Sequence, residues 1–205
     1  MPAIAGGALL RLAEILGGGP SAAAAPNPAA EALRRRDRAA WTQLFEREAP
    51  ALYRYVIGRV GSPEDAEDIV SRTFEEAWKH AESFEDRGLP PRAWLFGIAR
   101  HLTASHRRRL FRQPPMLRID VVEAAAGGSD PEVIDLARAI ARLPRADAEV
   151  IMLRFVHGLS AHEAAVALNT TVDAVKSRQA RALRRLRDML EAPASAPAGL
   201  RAPER

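Results

Sequence analysis

Residues 158–187 read GLSAHEAAVALNTTVDAVKSRQARALRRLR, and this stretch decides the fold. Ser160 is an N-cap residue with Glu163 three positions on, the spacing of a capping box, and Leu159 and Ala164 stand where a hydrophobic staple would close. A short helix follows, with Ala164, Ala165 and Leu168 as its packing face. Asn169 sits where the chain must turn sharply, and Asn adopts the left-handed conformation more readily than any residue except Gly. Thr171 caps a second helix in which Val172, Val175, Ala182 and Leu186 point inward while Lys176, Ser177, Arg178, Gln179 and Arg181 point outward. Two capped helices joined by a tight turn make a helix-turn-helix, whose second helix offers its N-terminal half to the major groove of DNA.

The residue types suit that task. Arg and Lys neutralise phosphates and can fork onto guanine, and Gln and Ser supply adaptable hydrogen bonds to base edges. Thr171, Lys176, Ser177, Arg178, Gln179 and Arg181 are therefore the candidate duplex contacts, while Arg184, Arg185 and Arg187 lie farther along and face phosphate or solvent. A basic amphipathic helix alone would read as an ordinary solvated face with cations near its C-terminus. The combination of caps and turn is what favours DNA.

Upstream, Val133, Leu136, Ile140 and Leu143 mark a helix stopped by Pro144, and Val150, Ile151, Leu153 and Phe155 mark another stopped by Gly158. A second helical block lies earlier. Trp41, Leu44, Phe45, Leu52, Val56, Ile57 and Val60 form one apolar stripe, with a kink expected at Pro50. Ser62, Pro63 and Asp65 open a helix through a capping box, with Ile69, Val70, Thr73, Phe74, Ala77 and Trp78 inward and Glu64, Glu67, Asp68, Arg72, Glu75 and Glu76 outward. A third helix starts near Pro91, turns Leu95, Ile98, Ala99 and Leu102 inward, and ends in His106, Arg107, Arg108 and Arg109.

Around these blocks the composition changes. Residues 1–37 form an Ala/Pro/Gly-rich extension expected to be disordered, since it offers little large apolar surface against chain entropy. Residues 113–129 read as a Pro- and Gly-containing linker and 192–205 as a disordered tail. The expected fold is all-α: two small helical domains, 38–112 and 130–191, joined by a flexible linker, the second carrying the helix-turn-helix. The chain has 205 residues, no cysteine and a net charge of +4. Disulfides, thiolate catalysis and the usual zinc-finger spacings are thereby excluded, and a reducing cytoplasmic setting fits. Arg11 and Glu14 interrupt the only N-terminal apolar run, so no membrane span is expected.

Taken together, Leu143-Pro144, Glu149 through Phe155, Gly158-Leu159-Ser160, Glu163 and Val175 through Arg178 resemble region four of the extracytoplasmic-function sigma factors of bacterial RNA polymerase. Pro63 through Val70, Thr73-Phe74, Ala77-Trp78 and Arg92 through Arg100 resemble region two of the same family. The resemblance implies that the first domain docks on the clamp of core RNA polymerase and opens the minus-ten promoter element, and that the second reads the minus-thirty-five element. It places the acidic face of Asp65, Glu67, Asp68 and Arg72 toward the polymerase, and it brings an anti-sigma protein into view as a partner. For melted DNA, Arg92, Arg100, His101, Arg107 and Arg108 can follow a backbone and Trp94 or Phe96 could stack on a base, although aromatics at helical spacing are more often core. The loop from Phe84 to Pro91 is the expected pocket for a flipped base. Three positions depart from the family pattern: His101 stands where Asn is frequent, Ser71-Arg72 replaces a Gln-acidic pair, and Asn169 replaces a turn Gly.

The competing reading is a helix-turn-helix repressor or activator acting without replacing sigma. It needs a dimer seam or a ligand domain, and the first block shows neither heptads nor a Gly-rich phosphate loop. An enzyme has little to build on: Glu75, Glu76, His80, His157 and His162 show no metal or triad spacing, so no cofactor and no metal are expected.

Overall fold

The computed structural model describes residues 29–84, 90–110 and 131–191, and these are helical throughout apart from short turns. In order they form α1 (Ala29–Arg34), α2 (Arg38–Val60), α3 (Pro63–Lys79), a 3-10 turn (Ala81–Ser83), α4 (Pro91–Leu110), α5 (Pro131–Arg142), α6 (Arg145–Ile151), a π-helical turn (Met152–Val156), α7 (Ala161–Leu168) and α8 (Val172–Glu191). The expected linker, the centre of the flipped-base loop, most of the N-terminal extension and the tail lie outside the described residues.

The first domain packs Trp41, Leu44, Leu52 and Val56 of α2 against Ile69, Val70 and Phe74 of α3 and Leu95 and Ala99 of α4. The Asp37 side chain caps α2 by accepting from the Ala40 N–H at 2.8 Å, and Gly61 ends it at φ 74°, a left-handed conformation that glycine adopts without penalty. The helix runs on through Pro50. Ser62 caps α3 by accepting from the Asp65 N–H, but the Asp65 carboxylate turns to His106 Nε2, 3.5 Å away, and does not close the expected box. Phe45 and Trp78 also differ from expectation, being 48% and 39% exposed. Both sit at the edge of their helix stripes, where Phe45 tilts onto Phe74 and Trp78 meets Trp41 edge-on. The structure adds α1 within the stretch assigned to the extension: Leu33 is buried, and its carbonyl accepts from Trp41 Nε1 at 3.0 Å.

In the second domain Val133, Leu136 and Ile140 of α5 pack with Ile151, Met152 and Val156 and with Ala182 and Leu186 of α8. The capping box opening α7 is complete: Ser160 Oγ accepts from the Glu163 N–H at 3.1 Å, and Glu163 Oε2 accepts from the Ser160 N–H at 2.7 Å. Asn169 takes the left-handed turn at φ 51°, and Thr171 Oγ1 caps α8 by accepting from the Ala174 N–H.

The two domains are closed on one another. Leu95 and Phe96 of α4 share a single apolar cluster with Val150, Leu153, Leu159, Ala164, Ala167 and Leu168. Helix α4 meets α7 at Gly97, where a Cβ would stand 3.6 Å from the Ala167 carbonyl oxygen, an ordinary contact that an alanine could also make. Helix α4 thus has two packing flanks, one toward α2 and α3 and one toward α7.

Candidate nucleic-acid interface

Helix α8 separates the expected duplex contacts into free and engaged groups. Thr171, Lys176 and Ser177 are exposed on its first turns. Arg178 is half-buried and turns toward α4. Gln179 is half-buried, its side-chain oxygen accepting from Arg154 Nε at 3.0 Å. Arg181 lies 3.5 Å from Asp147, which also pairs with Arg185 at 2.5 Å. Asp147 is buried, so it fixes the azimuth of α8 on the rest of the domain while leaving the N-terminal turns open.

Helix α4 shows a similar division. Arg100, His101, Arg108 and Arg109 are exposed, and Arg107 is half-buried. Burial, and then the positive charges of Arg145 and Arg59, hold the Arg107 pKa below its usual value. Arg92 is engaged, pairing with buried Glu48 and donating to the His157 carbonyl. Trp94 is half-buried with its ring 5.0 Å from that of Phe84. Phe96 is 1% exposed and meets Tyr55 edge-on, so it is core and not a base-stacking surface. On α3, Glu67, Asp68 and Arg72 are exposed and Asp65 is half-buried. Beside this face runs an apolar groove lined by Trp41, Phe45, Phe74 and Trp78.

What the sequence did not show is the seam between the domains. Tyr55 Oη donates to Glu149 Oε1 at 2.6 Å, and Arg59 reaches Glu149 Oε2 at 3.0 Å while its guanidinium lies over the Tyr55 ring. Burial raises the Glu149 carboxyl, but Arg59 together with the Tyr55 and Arg59 hydrogen bonds outweighs it and holds the pKa below the usual value. Burial drives the Tyr55 hydroxyl far up. Tyr55 and Arg59 stand 94 and 90 positions from Glu149, a pairing that helical periodicity cannot reveal.

His157 belongs to the same seam. Its ring is buried between Tyr55 and Phe96, with neither nitrogen hydrogen-bonded among the described residues. Burial, reinforced by the positive charges of Arg59, Arg54 and Arg92, drops its pKa well below the ordinary value. A histidine depressed in the folded state stays neutral there while the unfolded chain takes up a proton, so folding stability is full above about pH 6.5 and falls as the pH drops below it. Between about pH 7.5 and 5.5 this loss should reach about 1 kcal/mol, and a His157→Leu variant should lose that part of the pH slope in denaturant melts. An unchanged slope in the variant would assign the dependence to another group. The seam carboxylate Glu149 contributes in a separate, more acidic window, its stability lost as the pH falls from the ordinary glutamate pKa down through its lowered folded value.

The fold is that of an all-α protein of two domains, the second carrying a helix-turn-helix, with Arg-rich helices α4 and α8. Residues 44–113 match the family model of sigma-70 region 2, and residues 134–186 match that of sigma-70 region 4. The chain is 35% identical over 159 residues to the ECF RNA polymerase sigma factor BldN of Streptomyces coelicolor, a match covering 74% of this chain and 60% of that protein. It is 33% identical over 168 residues to the ECF RNA polymerase sigma factor SigD of Mycobacterium tuberculosis, covering 76% of this chain and 79% of that protein. Among solved structures it is similar to CnrH in complex with the cytosolic domain of CnrY, with a TM-score of 0.59, 29% identity, and coverage of 80% of this chain and 96% of that one. It is also similar to the sigma factor RpoE in complex with the anti-sigma factor NepR from Bartonella quintana, with a TM-score of 0.56, 27% identity, and coverage of 74% and 97%. The chain belongs to the extracytoplasmic-function sigma factors of RNA polymerase.

Proposed function

We propose that this chain acts in the cytoplasm, without catalysis of its own, binding core RNA polymerase and directing initiation at particular promoters. The observation that carries the reading is the complete capping box, left-handed Asn169 and Thr171 cap, which hold Lys176 and Ser177 on the open first turns of α8, the position from which a recognition helix reads the major groove. In the first domain, the exposed cations of α4 suit the backbone of the melted minus-ten strand. The acidic face of α3 and the apolar groove beside it offer a mixed surface for polymerase, steering by charge and anchoring by burial. An anti-sigma protein as a further partner is supported by the relatives solved with such proteins.

Two measurements test this. Reconstitution with core polymerase, followed by sequencing of transcript starts, should give a discrete set of promoters; failure to co-elute with core enzyme, or specific operator binding by a free dimer, would favour the repressor reading. Arg178→Ala should weaken binding of the upstream duplex by about 1–3 kcal/mol and relax preference at one base pair. A uniform loss over all sequences would make Arg178 a phosphate contact.

A further inference from the structure

Between the domains lies a cleft of about 580 Å³ walled by α4, the start of α6 and α8. Its lining carries Arg59, Arg100, Arg107, Arg108, Arg145 and Arg178 against a single carboxylate, Glu149. That carboxylate is already committed to Tyr55 and Arg59. Among the described residues Arg100, Arg107, Arg145 and Arg178 form no ion pair, although Arg100 and Arg107 feel the charge of Glu149, and Arg108 reaches only Ser105 Oγ. Thr103 lines the same cleft, is 2% exposed, and leaves its hydroxyl without a hydrogen-bond partner. Half-buried Arg107 and Arg178 thus stand with exposed Arg100, Arg108 and Arg145 around one cleft beside a buried, unsatisfied hydroxyl, a concentration of like charge that an anion between them would relieve.

We propose that this interdomain cleft is a binding site for a compact anion carrying two or more phosphate groups, which bridges the domains and holds them closed. Guanidinium groups match phosphate oxygens through paired N–H donors, and the cleft volume falls in the range of small-molecule sites, larger than a single phosphate requires. The walls bring cations of α4, α6 and α8 to one anion, so occupancy favours the closed arrangement in proportion to ligand concentration over its dissociation constant. The consequence for promoter binding rests on the proposed function, since Arg100, Arg107, Arg108 and Arg178 would be withdrawn from DNA. Binding itself does not depend on that reading.

The test is calorimetric titration of the full chain with sodium tripolyphosphate, ATP and orthophosphate at one fixed ionic strength. Arg145 stands on the cleft outside the proposed DNA contacts and at the exposed start of α6, so Arg145→Ala should fold normally, and Arg187→Ala on the exposed face of α8 is the control. The expected result is one tripolyphosphate per chain, bound about tenfold more tightly than orthophosphate, with about a tenfold loss in Arg145→Ala and none in Arg187→Ala. Comparable binding of ATP would point to a nucleotide as the source, and tripolyphosphate alone to an inorganic polyphosphate; either supports the site. Several ions per chain, or equal effects of the two variants, would show diffuse counter-ion attraction and overturn it. Failure to direct transcription with core enzyme would leave the titration unchanged, so the two ideas fail separately.

Discussion

Replacing Glu149 with Ala is expected to destabilise the closed chain by about 3–5 kcal/mol, because the Arg59 guanidinium would remain buried with no countercharge. The Arg59 and Glu149 side chains are 8% and 16% exposed, so solvent screens little of the loss. The same substitution strips the Tyr55 hydroxyl of its acceptor. Replacing both charges, Arg59→Met with Glu149→Leu, should recover most of the stability, since a buried ion pair exchanged for apolar groups of similar volume is often neutral or better. Urea melts of the three variants decide the matter. A Glu149→Ala loss below about 1 kcal/mol would mean that the seam is wet and behaves as a surface pair.

Phe96→Ala should cost about 3–5 kcal/mol, the range for emptying an aromatic site in a packed core. Phe96 touches Tyr55 and His157 and belongs to the apolar cluster shared by the two domains. Its removal should leave affinity for single-stranded minus-ten DNA unchanged in the presence of core polymerase. A loss of strand affinity without a loss of stability would return Phe96 to the role of a stacking platform, about 1–3 kcal/mol per base.

Phe96 also shows where sequence reading reached and where it stopped. Caps and turns are local, so the helix-turn-helix from Ser160 through Thr171 could be recognised from residue types three or four positions apart, and the structure reproduces each hydrogen bond that those types imply. The phase of a long stripe is less well determined: Trp78 and Phe45 lie at stripe edges, where a small change in helix azimuth separates core from solvent. Trp94 and Phe96 are two positions apart, about 200° around the helix, and so face different surroundings, one half-buried against Phe84 and the other fully interior. The seam had no local signature at all. Glu149 reads as an ordinary helix residue until α2 supplies Tyr55 and Arg59, and His157 shows only a lack of metal or triad spacing until two aromatic rings enclose it. Arg92 was expected on DNA for its charge, yet in the closed arrangement it is held by Glu48 and the His157 carbonyl.

The edge contact between Trp41 and Trp78 has a spectroscopic consequence. The chain's three tryptophans, Trp41, Trp78 and Trp94, and its two tyrosines, Tyr53 and Tyr55, all precede the second domain. Intrinsic fluorescence therefore arises from side chains of the first domain, Tyr55 among them at the seam, whereas far-ultraviolet ellipticity sums helices from both. Coincident melting curves by the two signals would show the pair unfolding as one cooperative unit, and an ellipticity change preceding the fluorescence change would show the helix-turn-helix domain melting first. The aromatic residues thus provide an unlabelled optical clock for the separation of the two halves.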